Sequence, residues 1–301
     1  MVGLEAALDR FCEVADGRRF GIEGVHVAAD DGRVVERRWI DDIRRDVFSV
    51  SKTVTSLAVG MLAHDGLLTL DDPVLMHLPE LADTAAPGTE AMTVRHLLSM
   101  TAGNGYRWLD EDADHPGDPA RDFLATPLVA EPGTAHDYRG GNSYVLGRIV
   151  HSVSGLDLRD FLLPRLFGPL GIRNPQWFRC PLGFPLGAVG LHLRTSEITR
   201  IAQLLLHEGV HDGQRLVPVE YLARMTAETT ETGMAEPDRQ TYGLHVWMCS
   251  RDRAWRMDGL YGQFGIMLPE HQACVSVTAH YLGHTTDILD AVWEHIVPAL
   301  A

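Results

Sequence analysis

This sequence contains very little lysine. Of its 26 lysine and arginine residues, Lys52 is the one lysine and all the others are arginine. Arginine can replace lysine on a solvated surface, but its guanidinium does not deprotonate in proteins. A position whose side chain must give up a proton therefore excludes arginine, and Lys52 becomes a candidate for a chemical role.

Long hydrophobic runs are also missing. No stretch of 18 or more apolar residues occurs, so no membrane-spanning helix is expected. The N-terminal segment 1–20 mixes acidic with basic side chains and has no continuous apolar core, which predicts a short amphipathic helix and argues against a secretory signal. We therefore expect a cytoplasmic protein.

Cysteine is scarce and scattered. The four cysteines include no C-x-x-C pair, which argues against a metal knuckle or a disulfide framework and predicts reduced thiols.

Positively charged residues are also fewer than negatively charged ones. The formal net charge of -15 argues against nucleic acid and against an anionic membrane surface as partners. We expect no metal and no cofactor.

The order of the periodic segments predicts a sheet built from both ends of the chain. Alternating runs at 22–29 and 33–40 flank an Asp-Asp-Gly turn, which is a hairpin pattern. We expect an α/β (α+β) protein with a sheet domain formed by 1–48 and 188–301, a mainly helical domain at 49–187, and a site at their interface. The predicted helices are 51–64, 93–103, 143–155, 158–171, 195–209 and 287–300, and the predicted C-terminal strands are 243–249, 253–257, 263–268 and 273–280.

The tetrapeptide Ser49-Val50-Ser51-Lys52 gives the lysine a partner. If a helix begins near Ser49, the two side chains lie on one face, one turn apart. Serine needs an adjacent base to become a nucleophile, and a lysine that starts near a pKa of ~10.4 must fall by roughly 2–3 units to act near neutrality. The spacing therefore indicates Ser49 as nucleophile and Lys52 as general base.

Two further segments contain candidate site residues. Tyr138 follows a Pro-Gly-Thr turn, and a phenol beside a lysine can shuttle a proton to a leaving group, although a tyrosine there can also be a packing residue. The segment 257–262 (MDGLYG) has two glycines that let another molecule approach the backbone. It either forms half of an oxyanion hole, with the Ser49 N–H as the other half, or is a plain β-turn.

These segments together resemble the serine hydrolases of the class C β-lactamase-like superfamily. That group includes β-lactamases, DD-peptidases, carboxylesterases, amide hydrolases of the aminohexanoate-oligomer type and some acyltransferases. The resemblance rests on the ordered motifs SVSK, TVRHLLSMTAG, EPGTxxxY, RLFGPLGI and DGLYGQF-x-x-x-LPE, and extends over about residues 22 to 299. It implies a β-lactamase/transpeptidase-like fold with an antiparallel sheet flanked by helices.

The resemblance also implies roles for individual residues. Ser49 matches the nucleophile, Lys52 the base and Tyr138 the proton shuttle. The backbone N–H groups of Ser49 and Leu260 match the oxyanion hole, since Leu260 follows the glycine of the strand motif.

The sequence departs from the family pattern at three positions. Gly140 stands where Asn or Ser usually follows the tyrosine, and Met257 stands where Lys or His usually opens the strand motif. The lactamases and peptidases use that basic residue to hold a substrate carboxylate, so its absence disfavours a carboxylate-bearing substrate. His136 replaces a common Phe and is either a polar substrate contact or a packing change.

Three other patterns would point to different classes of protein. Residues 207–211 (HEGVH) match the zinc-protease pattern, but Gly209 and the following turn place His211 outside the preceding helix. The acidic run 110–114 lacks the ligand spacing of a Ca²⁺ loop and is better interpreted as a solvated lid. The sequence G-x-S-x-G does not occur, so an α/β-hydrolase fold is not supported.

We therefore expect a hydrolase that cleaves a small-molecule ester or amide through an acyl-enzyme on Ser49. An acyltransferase or thioesterase is the alternative. A non-catalytic binding protein, a β-lactamase or a DD-peptidase is less favoured. The expected substrate-binding side chains are those of Tyr106, Trp108, His136, Asp258 and Tyr261.

Overall fold

The computed structural model describes residues 3–107 and 117–300 of the chain. Its α-helices are α1 (Leu4–Gly17), α2 (Val50–His64), α3 (Val74–His77), α4 (Val94–Leu98), α5 (Pro119–Ala125), α6 (Gly140–Ser154), α7 (Leu158–Leu162), α8 (Thr195–Leu206), α9 (Val219–Ala227) and α10 (Thr286–Ala291). Its strands are β1 (Ile22–Ala29), β2 (Val34–Arg38), β3 (Arg45–Asp46), β4 (His192–Leu193), β5 (Val210–His211), β6 (Gln214–Arg215), β7 (Thr230–Glu231), β8 (Thr241–Tyr242), β9 (Trp247–Met248), β10 (Trp255–Gly259), β11 (Gln263–Leu268) and β12 (Ala273–Ala279).

An antiparallel sheet joins the two ends of the chain. Its strand order is β2-β1-β12-β11-β10-β9-β8-β7, so the N-terminal hairpin pairs with the last strand of the C-terminal meander. The pairing of β1 with β12 runs from Ile22 opposite Ala279 to Ala29 opposite Ala273, with one irregularity near Gly24. The short pair β3–β4 lies outside this sheet and immediately precedes Ser49 in the chain.

Helices cover both faces of the sheet because successive strand residues point to opposite sides. On one face, Phe264, Val275 and Val277 pack in a cluster with α1 and the C-terminal helical segment. On the other face, Met267 and Cys274 belong to the larger cluster, and α8 packs across β11 and β12. Both faces of the central strands are therefore buried.

Helix α2 is the central element of the helical region. Its residues from Val50 to Leu62 are all buried, including the polar side chains of Ser51, Lys52, Thr53, Thr55 and Ser56. It packs against α6, which is in turn covered by α4 and α5. Helix α2, which begins immediately after Ser49, is therefore packed between the sheet and the other helices.

The predicted fold class is confirmed, with local differences. The hairpin, the strands predicted at 253–257, 263–268 and 273–280, and the helices on 51–64, 143–155 and 195–209 lie within a few residues of their predicted bounds. Of the predicted strand 243–249, only Trp247–Met248 is a strand. The predicted helix 158–171 is a short α-helix followed by a π-helical turn at Leu163–Phe167. Helices α3, α5 and α9 and the two-residue strands β3 to β8 were not predicted. The domain boundaries stay a prediction. Within the described ranges, no helix combines the length and apolarity needed to cross a bilayer.

Candidate active site

Ser49 occupies a turn immediately before α2. The preceding residue, Phe48, has a left-handed backbone conformation with φ 47°, which is uncommon for a bulky residue. Ser49 then adopts φ -69° and ψ -5°, and α2 continues from Val50. The sharp turn presents the serine at the helix N-terminus, where unpaired N–H groups favour negative charge.

Lys52 lies one turn along the same helix and is 3% exposed. Its Nζ is 2.9 Å from Ser49 Oγ and 3.2 Å from the carbonyl oxygen of Ala188. The ammonium position is also 4.9 Å from the centre of the Tyr138 ring. The structure thus brings together the serine, the lysine and the tyrosine that the sequence singled out.

The Tyr138 ring packs in an aromatic cluster. Its centroid is 5.7 Å from that of Tyr242 and 5.6 Å from that of Trp247. Burial raises the pKa of Tyr138, while a hydrogen bond with the Ser49 side chain and the positive charge of Arg239 act to lower it. The phenol is therefore neutral near pH 7 and available as a proton donor beside the serine.

The turn after β10 meets the backbone that precedes Ser49. A Cβ on Gly259 would lie 2.3 Å from the carbonyl oxygen of Val47, so only glycine allows this approach. The protein's own backbone is therefore one close neighbour of Gly259. Among the described residues, neither the Ser49 N–H nor the Leu260 N–H has a hydrogen-bond acceptor.

Asp258 is bound by arginine. Its Oδ2 accepts hydrogen bonds from Arg256 Nε at 3.0 Å and Nη2 at 2.9 Å, and the Arg256 side chain is completely buried. Arg239 Nη2 lies 3.8 Å from the same oxygen, and its guanidinium is 5.5 Å from the Trp247 ring. One carboxylate oxygen is thus already engaged by protein cations.

Arg239 was missed by sequence reasoning. The lack of a basic residue at Met257 suggested a site without a second cation, yet Arg239 reaches this region from a different part of the chain. Because the sequence contains many arginines, nothing in it distinguishes Arg239 as a site residue. Trp247, Tyr242 and the buried His245 were missed for the same reason, since their proximity to Tyr138 and Lys52 is a tertiary property.

The remaining predicted side chains lie at different depths. His136 packs on Tyr242 with ring centroids 5.4 Å apart, and burial lowers its pKa. Tyr261 packs edge-on against Phe48, at 5.2 Å between centroids. Tyr106 is largely buried in the helical region. Trp108 and the acidic run lie outside the described residues.

The residues of the zinc-protease pattern do not share a helical face. Helix α8 ends at Leu206, and His207 is followed by Glu208 and Gly209 with positive φ. His207 bonds to Asp30 at 2.7 Å, whereas His211 lies on β5. Within the described parts of the chain, no group of three or more His, Cys, Asp or Glu side chains is placed to hold a metal.

Comparison with known proteins gives the family to which the chain belongs. Residues 13–295 match the sequence profile described as Beta-lactamase, and the chain belongs to this family. The resemblance inferred from the motifs is thereby confirmed.

Named relatives are esterases and amide hydrolases. The chain is 31% identical over 201 residues to "Esterase EstB" of Burkholderia gladioli, covering 57% of this chain and 51% of the relative. It is 25% identical over 239 residues to "6-aminohexanoate-dimer hydrolase" of Paenarthrobacter ureafaciens, covering 73% and 61%. The chain spans about half the length of the curated relatives it matches.

Solved structures share the fold over nearly the full chain. The structure described as "EstCE1, a hydrolase with promiscuous acyltransferase activity" has a TM-score of 0.79 at 18% identity, covering 97% of this chain and 99% of that one. At this identity the likeness shows the fold alone.

Proposed function

We propose that this protein is a serine hydrolase that cleaves a small-molecule ester or amide through an acyl-enzyme on Ser49. The observation that supports it most directly is the 2.9 Å separation of Lys52 Nζ and Ser49 Oγ within one buried helical turn. Membership of the Beta-lactamase family and the esterase and amide-hydrolase relatives support the same class of reaction.

In the proposed reaction, Lys52 takes the proton of Ser49, and the serine oxygen attacks the substrate carbonyl. The N–H groups of Ser49 and Leu260 donate hydrogen bonds to the oxyanion. The Tyr138 phenol passes a proton to the leaving alcohol or amine, and water then releases the acid from Ser49.

The substrate-facing roles of the other candidates are part of the proposal. His136, which packs on Tyr242 beside Tyr138, and Tyr261, which packs on Phe48, would contact the substrate. Asp258 would act together with its arginines and not as an isolated carboxylate, because Arg256 already binds it. A cytoplasmic location is also proposed, since all four cysteines are free thiols, as is usual in a reducing compartment.

The test is covalent labelling with a fluorophosphonate, followed by intact-protein mass spectrometry. The wild type is expected to gain one adduct as Oγ displaces fluoride from phosphorus, and Ser49→Ala is expected to gain none. Ser56→Ala is the matched control, because Ser56 lies on the same helix and is hydrogen-bonded to Tyr221 and Leu244. Labelling that persists in Ser49→Ala would contradict the proposal.

Lys52→Arg tests the base separately from the charge. Arginine keeps the positive charge but does not deprotonate, so kcat/KM for a p-nitrophenyl ester should fall about 100-fold or more. An unchanged kcat/KM in a variant with wild-type thermal stability would exclude Lys52 as the base.

Acyl transfer stays the alternative outcome of the second step. Burst kinetics with p-nitrophenyl esters, with and without an added alcohol or amine, distinguish the two. Hydrolysis predicts a turnover rate that is independent of the acceptor, whereas acyl transfer predicts faster turnover and an ester or amide product.

A further inference from the structure

The segment 187–191 (GAVGL) runs beside the turn that contains the proposed nucleophile. The Val47 N–H donates to the Leu191 carbonyl oxygen at 2.9 Å, and the Leu191 N–H donates to Ser51 Oγ at 3.3 Å. These two bonds bracket Ser49 in the chain. The position of the serine therefore depends on the position of the 187–191 segment.

The same segment contacts the proposed base. Lys52 Nζ donates to the Ala188 carbonyl oxygen at 3.2 Å, and Thr55 Oγ1, one turn further along α2, donates to the Gly187 carbonyl oxygen at 2.8 Å. A shift of this segment would therefore change the surroundings of both Ser49 and Lys52.

Asp46 connects the turn before Ser49 to the 187–191 segment. Its Oδ1 accepts a hydrogen bond from the Phe48 N–H at 2.7 Å and another from the Gly190 N–H at 3.0 Å. The first bond supports the left-handed conformation of Phe48, and the second fixes the segment whose Ala188 carbonyl faces Lys52. One carboxylate oxygen thus links the turn before the serine to the segment beside the lysine.

The charge of Asp46 also acts on this site. Burial raises the pKa of Asp46, while its two backbone hydrogen bonds and the charges of His192 and Lys52 lower it. Since this interaction is mutual, an ionised Asp46 favours the protonated form of Lys52. The Tyr138 ring and the buried, neutral His245 also face Lys52, and Asp258 and Arg239 act on Tyr138.

We propose that Asp46 is a positioning residue that holds the Ser49 turn and the 187–191 segment in register and adds negative charge near Lys52. This inference rests on the proposed function, because it assumes that Ser49 and Lys52 form the reacting pair. Asp46 itself touches neither the substrate nor the reacting atoms in this scheme.

Two substitutions separate geometry from charge. Asp46→Asn keeps an oxygen that can accept both N–H groups but removes the charge. We expect kcat to stay within about threefold of wild type and the acid limb of the pH–rate profile to move about half a unit or more to lower pH, because the lysine proton leaves more readily without the anion. Asp46→Ala removes both hydrogen bonds. We expect kcat to fall about 10- to 100-fold with a smaller change in KM.

Asp157→Asn is the matched control. Asp157 also accepts a backbone N–H, that of Asp160 at 2.9 Å, but it caps α7 and lies outside the network that contacts Ser49 and Lys52. Its pH–rate profile and kcat are expected to match those of the wild type.

The readout is the pH–rate profile with a p-nitrophenyl ester, together with the rate of fluorophosphonate labelling. A wild-type kcat in folded Asp46→Ala would overturn the inference, and so would an acid limb that does not move in Asp46→Asn. If Ser49 is still labelled in these variants, the proposed function itself is not contradicted. Failure of the proposed function itself would appear separately, as label retained in Ser49→Ala. If Asp46→Ala does not fold, the acid limb of Asp46→Asn decides alone.

Discussion

His245 shows how a single buried side chain can link several elements. Its Nδ1–H donates to the Leu98 carbonyl oxygen at 2.8 Å, so its Nε2 is unprotonated and accepts from Ser143 Oγ at 2.8 Å. Its own carbonyl oxygen accepts from Thr53 Oγ1 at 2.7 Å. The residue therefore ties α2 to α4 and α6, with a positive φ of 63°.

This histidine makes stability depend on pH. Burial, together with the charge of Lys52, lowers the pKa of His245 to about 3. Below pH 6.5 the unfolded chain binds a proton here that the folded chain does not, so the free energy of unfolding should decrease as pH falls, by up to about 1.4 kcal/mol per pH unit.

The measurement is urea denaturation at pH 7 and pH 5 of the wild type and of His245→Asn. Asparagine tolerates the positive φ and does not titrate, so its stability should fall less between the two pH values. Other histidines, such as His26 and His136, titrate in both proteins and cancel in the comparison. Equal losses in the two proteins would contradict a neutral, buried His245.

At the scale of elements, β10 and α2 must meet for the proposed site to form. The pattern of apolar residues predicts the helix and the strand separately, and both are present near their predicted bounds. Their contact depends on Gly259, which allows the strand end to approach the Val47 carbonyl oxygen. The sequence marks Gly259 as part of a candidate motif but gives no sign of its neighbour Val47, because the two residues are more than 200 positions apart.

Gly259→Ala should displace the strand end from the Ser49 turn. The added Cβ would lie 2.3 Å from the Val47 carbonyl oxygen, so the backbone must move and carry the Leu260 N–H with it. We expect kcat to fall about 100-fold, the cost associated with losing one oxyanion donor. Steady-state kinetics with a p-nitrophenyl ester provide the measurement.

Gly17→Ala is the control for this substitution. Gly17 ends α1, and a Cβ there would meet nothing within 4 Å. Its kcat should equal that of the wild type. Full activity in Gly259→Ala would show that the close approach to Val47 is not needed for catalysis.

At the scale of the whole molecule, the N-terminal helix and the C-terminal helical segment cover the sheet face that is remote from α8. Phe11 on α1 is completely buried in this cluster, together with Phe264 and Trp293. Ser49 and Lys52 are positioned by α2, whose apolar residues belong to the other cluster, on the opposite face of the sheet. The proposed reacting pair and the Phe11 cluster therefore lie on separate faces of the sheet.

Phe11→Ala should lower the free energy of unfolding by about 3–5 kcal/mol, because it leaves a cavity in a closed cluster. Chemical denaturation measures this change, and kcat at a temperature where the variant is folded should stay at the wild-type value. Glu13→Ala, an exposed change on the same helix, should change stability by less than about 0.5 kcal/mol. A loss of kcat in folded Phe11→Ala would argue against this separation.

The sequence alone was sufficient to predict the features that local pattern encodes. Apolar periodicity predicted most helices and the strands of five or more residues, and three-residue spacing on a helix predicted that Lys52 would reach Ser49, since one helical turn places such side chains on one face. The order of the motifs identified the family that the profile match confirms.

Only the tertiary structure decided which distant residues surround that pair. Asp46 links to Gly190, Arg239 approaches Asp258, and His245 bonds to Ser143, each across at least nineteen positions of chain. Helical or strand periodicity relates only near neighbours, so it contains no information on such pairs. They became neighbours because the sheet strands and the packed helices bring their segments together.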